Sequence, residues 1–530
     1  MRKIPRQPAA PPPAPQPADK PKNLQNVNIP DITLPENLAE KQTLLKPHIE
    51  RSHDIINRPF SIGTQQPVDA YAIYINGVID TDTFNAGILR PLMIYAEDGA
   101  KAGSQNPELP EYIARTLLTV GQFRKIDRLA DLVRDIYDGM LIIMLEGSSP
   151  ALAIDIHKAH LRAIEEPPAE RGLRGSREGF IESLDVNISM VRRRLRDPKL
   201  VVKKTVVGQR THTQVAILYI EDIADPNIVA EIETRINAIN VDGIEASGRL
   251  EQFIQDRPWS LFYQHRLTEK PDKAVMQILE GRVLIVIDGT PTTITAPSLF
   301  VEFFQAPGDY YELTWVGSFI RLLRYLAFFL AISTSALYIA VVNFQPELIP
   351  TELLVPIARF RNQVPFPVVL EILILEVMMQ LVIEAGHHLP GNVGQTVGVV
   401  GGIIMGQAAI TARFASPAAV IVASFSAMCT FVLPSPGIAL VSRILRLPMI
   451  LAAASFGAVG FALMWLVLLT HLISLTSIGV PYMSPLAPTR YSDLKDSFIR
   501  SFLTSMQKRP VSIPSQDKVR QAGQEVTGNR

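Results

Sequence analysis

The apolar positions change their spacing once along the chain. In the first three hundred or so residues they form short runs set among charged segments. From about Tyr325 to Leu472 they form long, nearly uncharged spans. The short runs read as strands: Ala70–Ile75 (AYAIYI), Leu141–Leu145, Val215–Ile220 (VAILYI) and Leu284–Ile287. Two of them end in turn signals, Glu146-Gly147-Ser148 and Asp288-Gly289-Thr290. A helix pattern starts near Thr83. Asp225-Pro226 offers an N-cap and a first-turn proline for another helix.

The strand-like segments form two similar sets. Tyr74-Ile75 matches Tyr219-Ile220, and Asp80 matches Asp225. Asp138-Gly139 and Glu146-Gly147 match Glu280-Gly281 and Asp288-Gly289. The pattern predicts two related α/β subdomains, over 51–170 and 171–318, against the alternative of a chance likeness between strand-turn units. A disordered, proline-rich segment, 1–50, precedes them. The fold class is therefore an α/β soluble region followed by an all-α polytopic membrane domain, over 319–482, with a polar cytoplasmic tail over 483–530.

The long runs carry the candidate chemistry. Tyr325–Phe344 is uncharged and matches about 30 Å of hydrocarbon at about 1.5 Å per residue. Arg321 and Arg324 just before it favour a cytoplasmic N-terminal side. Pro367–Ile383 is apolar but contains Glu371 and Glu376, and Glu384 follows. Counted from Pro367, these lie about 6, 13 and 25 Å along a helix, so Glu376 approaches the midplane. An ionised carboxylate there costs at least about 2.5–3.5 kcal/mol. It must be neutral, paired or facing water: either a hydrogen-bonded group in a helix interface or a carboxylate on a cation pathway. In Val393–Ile410, Gly394, Gly398, Gly402 and Gly406 recur at every fourth position, and Gly401 widens the groove they form. Such a face lets helices approach closely in a bilayer, and it either packs only or also lines a path. Gln395 on the same stretch joins the three glutamates as a pore or gating candidate. Ala418–Leu433 and Pro448–Leu472 are two further spans, separated by Arg443 and Arg446. Five spans would put the two ends on opposite sides, whereas basic residues at both ends favour one side. A re-entrant span, or a turn-back within Pro448–Val480, would restore the parity.

Composition narrows the field. Lysines and arginines balance aspartates and glutamates at 51 each, so bulk charge does not point to nucleic acid. The one cysteine, Cys429, lies in an apolar segment, which leaves no intrachain disulfide framework or cysteine metal site. The N-terminus lacks the apolar core of a secretory signal, so the soluble part is expected in the cytoplasm. Adjacent His387 and His388 have no further ligands nearby, and no metal or cofactor is expected. Arg192, Arg193, Arg194 and Arg196 cluster on a predicted helix. They form either an ion-paired face or a contact for acidic lipid or a neighbouring subunit. Ile287-Asp288-Gly289-Thr290 is similar to a phosphatase loop but lacks the preceding aspartate, where Val286 stands. With no P-loop and no serine elbow, an enzyme is not expected.

Several long motifs stand in a recognisable order: REGFIESLDVNISMVRRRLRDPKL, then SLFVEFFQAPGDYYE at Ser298–Glu312, then EAGHHLPGNVGQTVGVVGGIIMGQAA at Glu384–Ala409, followed by SPAAVIV. The chain resembles the A subunits of the GerA family of spore germinant receptors, from about Arg174 to the end of the membrane region. One departure is Ser335, where the family often has proline. The resemblance implies two related α/β subdomains and nutrient-triggered germination in the inner membrane of the spore. It implies as partners a transporter-like B subunit, which binds the nutrient, and a lipoprotein C subunit. It also implies oligomerisation into a ring that opens a path for ions.

Three functions are then open. The chain is a receptor subunit forming a gated cation pathway, a scaffold that anchors partners without its own pore, or a solute transporter with an unwound site. An inverted repeat among the spans would favour the last, and none is visible.

Overall fold

The structure, a computed structural model, describes residues 29–63, 67–96, 110, 113, 118, 123–157, 176–306, 308–388, 401–402 and 404–520. The predicted strands are the centres of two five-stranded sheets. The first contains β1 (Ile55–Ile62), β2 (Val68–Ile75), β3 (Phe123–Ile126), β4 (Leu141–Leu145) and β5 (Ala151–Ile154), in the order β1-β2-β4-β5-β3. The second contains β6 (Leu200–Val207), β7 (Thr213–Ile220), β8 (Arg266–Thr268), β9 (Val283–Ile287) and β10 (Thr293–Ala296), in the order β6-β7-β9-β10-β8. The order is the same in both sheets. β4 and β9 are antiparallel to their neighbours and buried at every position. Burial on both faces makes them continuous apolar runs rather than alternating ones. Edge strands lack that signature: β3, FRKI, is exposed at three of its four positions.

The repeat extends to the turns. Gly139 and Gly281 both adopt positive φ, at 89° and 96°, as do Gly147 and Gly289, at 72° and 84°. Side chains rarely adopt these angles, so glycine recurs at the matched positions. The helix Pro226–Asn237 starts where the sequence signals it, and the Asp225 carboxylate accepts a hydrogen bond from Asn227 N at 2.9 Å.

The chain divides into two compact units. One holds the described parts of the N-terminal segment through Ile49, with Asn57–Tyr74 and Asp82–Ile156. The other holds Glu50–Ile56, Ile75–Thr81 and the chain from His157 on. The second sheet and the apolar helices thus share a unit. Their core is continuous across the predicted boundary at 318: Phe300 and Phe304 pack on Phe328, and Phe304 stacks on Tyr325 at 4.4 Å between centroids.

The helical part consists of Thr314–Phe344, Thr351–Arg361, Val368–His388, a helix at 404–411, Pro417–Phe431 and Pro436–Ser474. Among the described residues, Thr314–Phe344 and Pro436–Ser474 are long and apolar enough to cross a bilayer, with mean hydropathies of 2.0 and 2.1. Arg321 and Arg324 do not precede the first of these helices but lie inside it. Both are buried: Arg324 bonds Asp309 at 2.6 Å, and Arg321 pairs with Asp496 at 3.3 Å. Paired with acids in this way, they do not act as free flanking charge.

Pro436–Ser474 spans 39 residues but is not one rod. At Gly457 the backbone leaves helical space, with φ 59° and ψ −137°. A Cβ on Gly437 would lie 2.7 Å from the Tyr263 ring, while His471 Nε2 hydrogen-bonds Ser260 Oγ at 3.0 Å. A straight helix would hold residues 437 and 471 about 51 Å apart. Ser260 and Tyr263 are three positions apart, so the helix folds back on itself at Gly457. Arg443 and Arg446 therefore lie within its first limb rather than between two spans.

The stretch after Tyr482 does not behave as a loose polar tail. Asp496 reaches Arg321, Ser515 bridges to Ala224, and Ile513 sits in the core beside the second sheet.

Candidate functional site

Glu376 sits on Val368–His388 and is 6% exposed. Its Oε1 accepts a 2.6 Å hydrogen bond from Ser335 Oγ on Thr314–Phe344. Its Oε2 accepts from Arg446 Nη1 on the first limb of the folded-back helix. Arg446 is equally buried and spends its other donors on two backbone carbonyls, Nε to Ala331 O at 2.8 Å and Nη2 to Ser426 O at 3.1 Å. Ser426 Oγ returns to Ala331 O at 2.9 Å. Segments of four helices thus meet at one ion pair. A short distance away, Trp465 Nε1 donates to Ser333 Oγ at 3.1 Å and ties in the second limb.

The helices permit this because the positions around the pair are small. Ala331, Ser335, Ala423, Ser426 and Ala427 are all buried. Close backbone approach brings the carbonyls within reach of the guanidinium. At Ser335 the chain keeps a continuous helix and contributes a hydroxyl donor, which a proline there could not supply. A buried pair of this kind tolerates little change, because removing one partner strands the other charge at a cost of about 3–5 kcal/mol.

Glu371 lies one helical turn and a half toward the N-terminus of the same helix. It is 1% exposed, and its Oε1 accepts the backbone N–H of Ser416. Ser416 is the N-cap of Pro417–Phe431, and its own hydroxyl accepts from Ala419 N at 3.3 Å. Glu371 thereby anchors a helix start. Glu384 is exposed farther along the helix, where its charge acts on Arg443. A cavity of about 230 Å³ borders the pair, lined by Glu376, Gln380, Arg443 and Arg446.

The other predicted residues are spread more widely. Gly394, Gln395 and Gly398 lie outside the described residues. A Cβ on Gly402 would meet nothing within 4 Å, and one on Gly401 only Val382 Cγ1 at 4.0 Å. Gly406 faces Val420 at an ordinary 3.5 Å. At these three positions no tight packing is made among the described residues. Arg192 is not a lipid or subunit contact. It is 2% exposed and grips Asp54 with two hydrogen bonds, Nε to Oδ2 at 2.8 Å and Nη2 to Oδ1 at 2.9 Å. Arg194 pairs with Glu178, Arg193 is half-buried, and Arg196 is exposed.

The model of the family described as Bacillus/Clostridium GerA spore germination protein matches residues 43–512. The chain belongs to the GerA spore germination family. This GerA-family chain is 38% identical to spore germination protein KA of Bacillus subtilis, over 92% of its own length and 88% of the relative's. It is 35% identical to spore germination protein GerLA of Bacillus cereus, over 84% and 89% of the two chains. A B. subtilis relative named as an uncharacterized membrane protein, YfkQ, is 35% identical over 90% of each. Among solved structures, the N-terminal domain of the A subunit of the Bacillus megaterium germinant receptor GerK3 is similar to it. That match has 31% identity and a TM-score of 0.41, and covers 51% of this chain and 98% of that one.

Sequence reasoning found Glu376 but missed Arg446, Ser335 and Ser426. One signal was available for the arginine. Arg446 lies ten residues into a helix that starts at Pro436, about 15 Å deep, which matches the depth of Glu376.

Proposed function

We propose that this chain is the A-type membrane subunit of a spore nutrient germinant receptor. It acts in the inner membrane of the spore beside a transporter-like B subunit and a lipoprotein C subunit. Its helices cross the bilayer six times, with both ends on the cytoplasmic side. The crossings are Thr314–Phe344, Val368–His388, the glycine-rich stretch, Pro417–Phe431 and the two limbs joined at Gly457. The apolar residues left exposed on these helices, such as Leu451, Phe456 and Leu466, then face lipid tails. A signal from a nutrient-binding partner repositions the bundle and opens a cation path between copies of the chain.

The observation that carries this reading is the Glu376–Arg446 pair. A charge pair joining segments of four helices at mid-depth has few stable alternatives, so the bundle moves between discrete arrangements. A second reading, a scaffold without its own pore, draws on the same pair. Glu376 is satisfied within the chain and presents no free carboxylate to a cation.

The deciding measurement is cation flux from liposomes carrying the chain, alone and with its B and C partners. Nutrient-dependent flux that changes in Glu376→Gln is expected. A complete receptor that binds nutrient but passes no cations would leave the scaffold.

A further inference from the structure

Away from the ion pair, a second cavity of about 630 Å³ lies where the second sheet meets the starts of two apolar helices. Its volume is that of a small-ligand site. One wall is β8 and the loop after it. The others are the segment around Phe303, the first turns of Thr314–Phe344, and residues 434–437 at the start of Pro436–Ser474.

The charges do not balance. Arg266, Lys270, Lys273 and Arg324 line the cavity against Glu269, Asp309 and Glu312, which leaves one positive charge in excess. Arg324 is committed to Asp309 at 2.6 Å, and Arg266 donates to Gln305 O at 2.7 Å. Lys273, Glu269 and Glu312 also have partners. Lys270 is the exception. It is 5% exposed, and its ammonium has no hydrogen-bond or ion-pair partner among the described residues. With no acid neutralising it, that ammonium leaves its charge free for an anion in the cavity that Lys270 lines. His265, also on the lining, is pushed down to about 4 by burial and adds no charge at neutral pH. The helix that begins at Pro436 reinforces the field. Its N-cap, Ser435, makes no side-chain capping bond, so the positive end of the helix dipole faces the cavity without a local acceptor. The lining also carries apolar surface, from Tyr263, Phe303 and Ile320 among others.

We propose that this cavity binds an anionic amphiphile, its phosphate or carboxylate paired with Lys270 and its apolar part against Tyr263, Phe303 and Ile320. A membrane phospholipid and a free organic anion both carry this chemistry. The proposal is independent of the germination reading, because it concerns binding by the purified chain.

The test titrates octyl phosphate into the full-length chain in phosphatidylcholine nanodiscs, with heat of binding as readout. Saturable binding is expected, weakened about tenfold or more in Lys270→Gln and kept within about threefold in Lys270→Arg. Arg210→Gln, a change at a surface cation, leaves binding as in the wild type. Octyl glucoside, which lacks the charge, binds about tenfold more weakly or worse. In the unsubstituted chain, octyl phosphate also protects Lys270 from acetylation, read by mass spectrometry, and this arm needs no variant to fold. Repeating the titration in phosphatidylglycerol nanodiscs identifies the source. Lost octyl phosphate binding names the lipid headgroup, and retained binding names a free anion. Equal binding of octyl phosphate and octyl glucoside, or an unprotected Lys270, overturns the proposal.

Discussion

Replacing Arg446 by methionine would strand the Glu376 carboxylate among buried small and apolar side chains. The single change is expected to cost about 3–5 kcal/mol, whereas adding Glu376→Gln to it should recover most of the loss, because no uncompensated charge then remains. Thermal unfolding of the four proteins in one detergent closes the cycle, and a double-variant loss equal to the sum of the two single losses would show that the pair is not coupled. A second residue-scale prediction concerns Glu251, which is 5% exposed with Oε1 unpaired and which burial pushes up to about 7. Its pKa is higher folded than unfolded, so the folded chain holds the proton more tightly. Stability is then greatest below about pH 4.5 and falls as pH rises toward 7, by up to about 3 kcal/mol from this group. Glu251→Gln should therefore match the wild type near pH 4 and below and exceed it at pH 8, and a difference independent of pH would refute the assignment. At this scale the sequence was half legible. A lone acid in an apolar run such as Glu376 announces itself by its solvation cost. Its partner did not, because Arg443 and Arg446 stand just before Pro448 and look like the basic flank of a new span.

Among the elements, two glycines make opposite predictions. Gly457 holds φ 59° and ψ −137°, and a Cβ there would come within 2.9 Å of the Phe344 ring. Gly457→Ala combines a backbone strain of about 1–3 kcal/mol with that overlap, so the two limbs should part. Loss of the folded protein from membranes is expected, and normal yield with unchanged thermal stability would contradict the tight turn. Gly402 has open space on its Cβ side. Gly402→Leu should therefore leave the single chain folded and show itself only in the assembly of several chains, read by size on gentle extraction. Impaired folding of the isolated chain would mean that the glycine face packs internally after all. The strands were legible wherever both faces are buried, as in β4 and β9, and the helix at Pro226 was legible from its cap. Edge strands and the exact ends of the apolar helices were not. β3 has too little apolar content, and Thr314–Phe344 carries buried arginines that hydropathy assigns to water.

For the molecule as a whole, the doubled sheet was foreseeable from repeated short motifs, since matched turns need the same residues. The path of the apolar region was harder to foresee, because hydropathy counts long runs and cannot tell a rod from a hairpin closed by a single glycine. In the proposed six-crossing path, the turn at Gly457 would supply the crossing that parity demands. Residues 483–520 return to the start of the first apolar helix and to the second sheet, where Asp496 meets Arg321 and Ser515 meets Ala224, respectively. An odd number of crossings could not do this without unthreading those contacts. Cysteine labelling tests the path, starting from Cys429→Ala to remove the one native thiol. Asp242→Cys, in the loop after the helix Pro226–Asn237, and Ser492→Cys, after the last apolar helix, should react with an impermeant maleimide from the same face of sealed vesicles. Glu347→Cys, in the link after Thr314–Phe344, should react from the other face. All three positions are exposed, so access to each depends on the side of the membrane and not on burial. Labelling of positions 242 and 492 from opposite faces would exclude the six-crossing path, and with it the arrangement that brings Arg446 to the depth of Glu376.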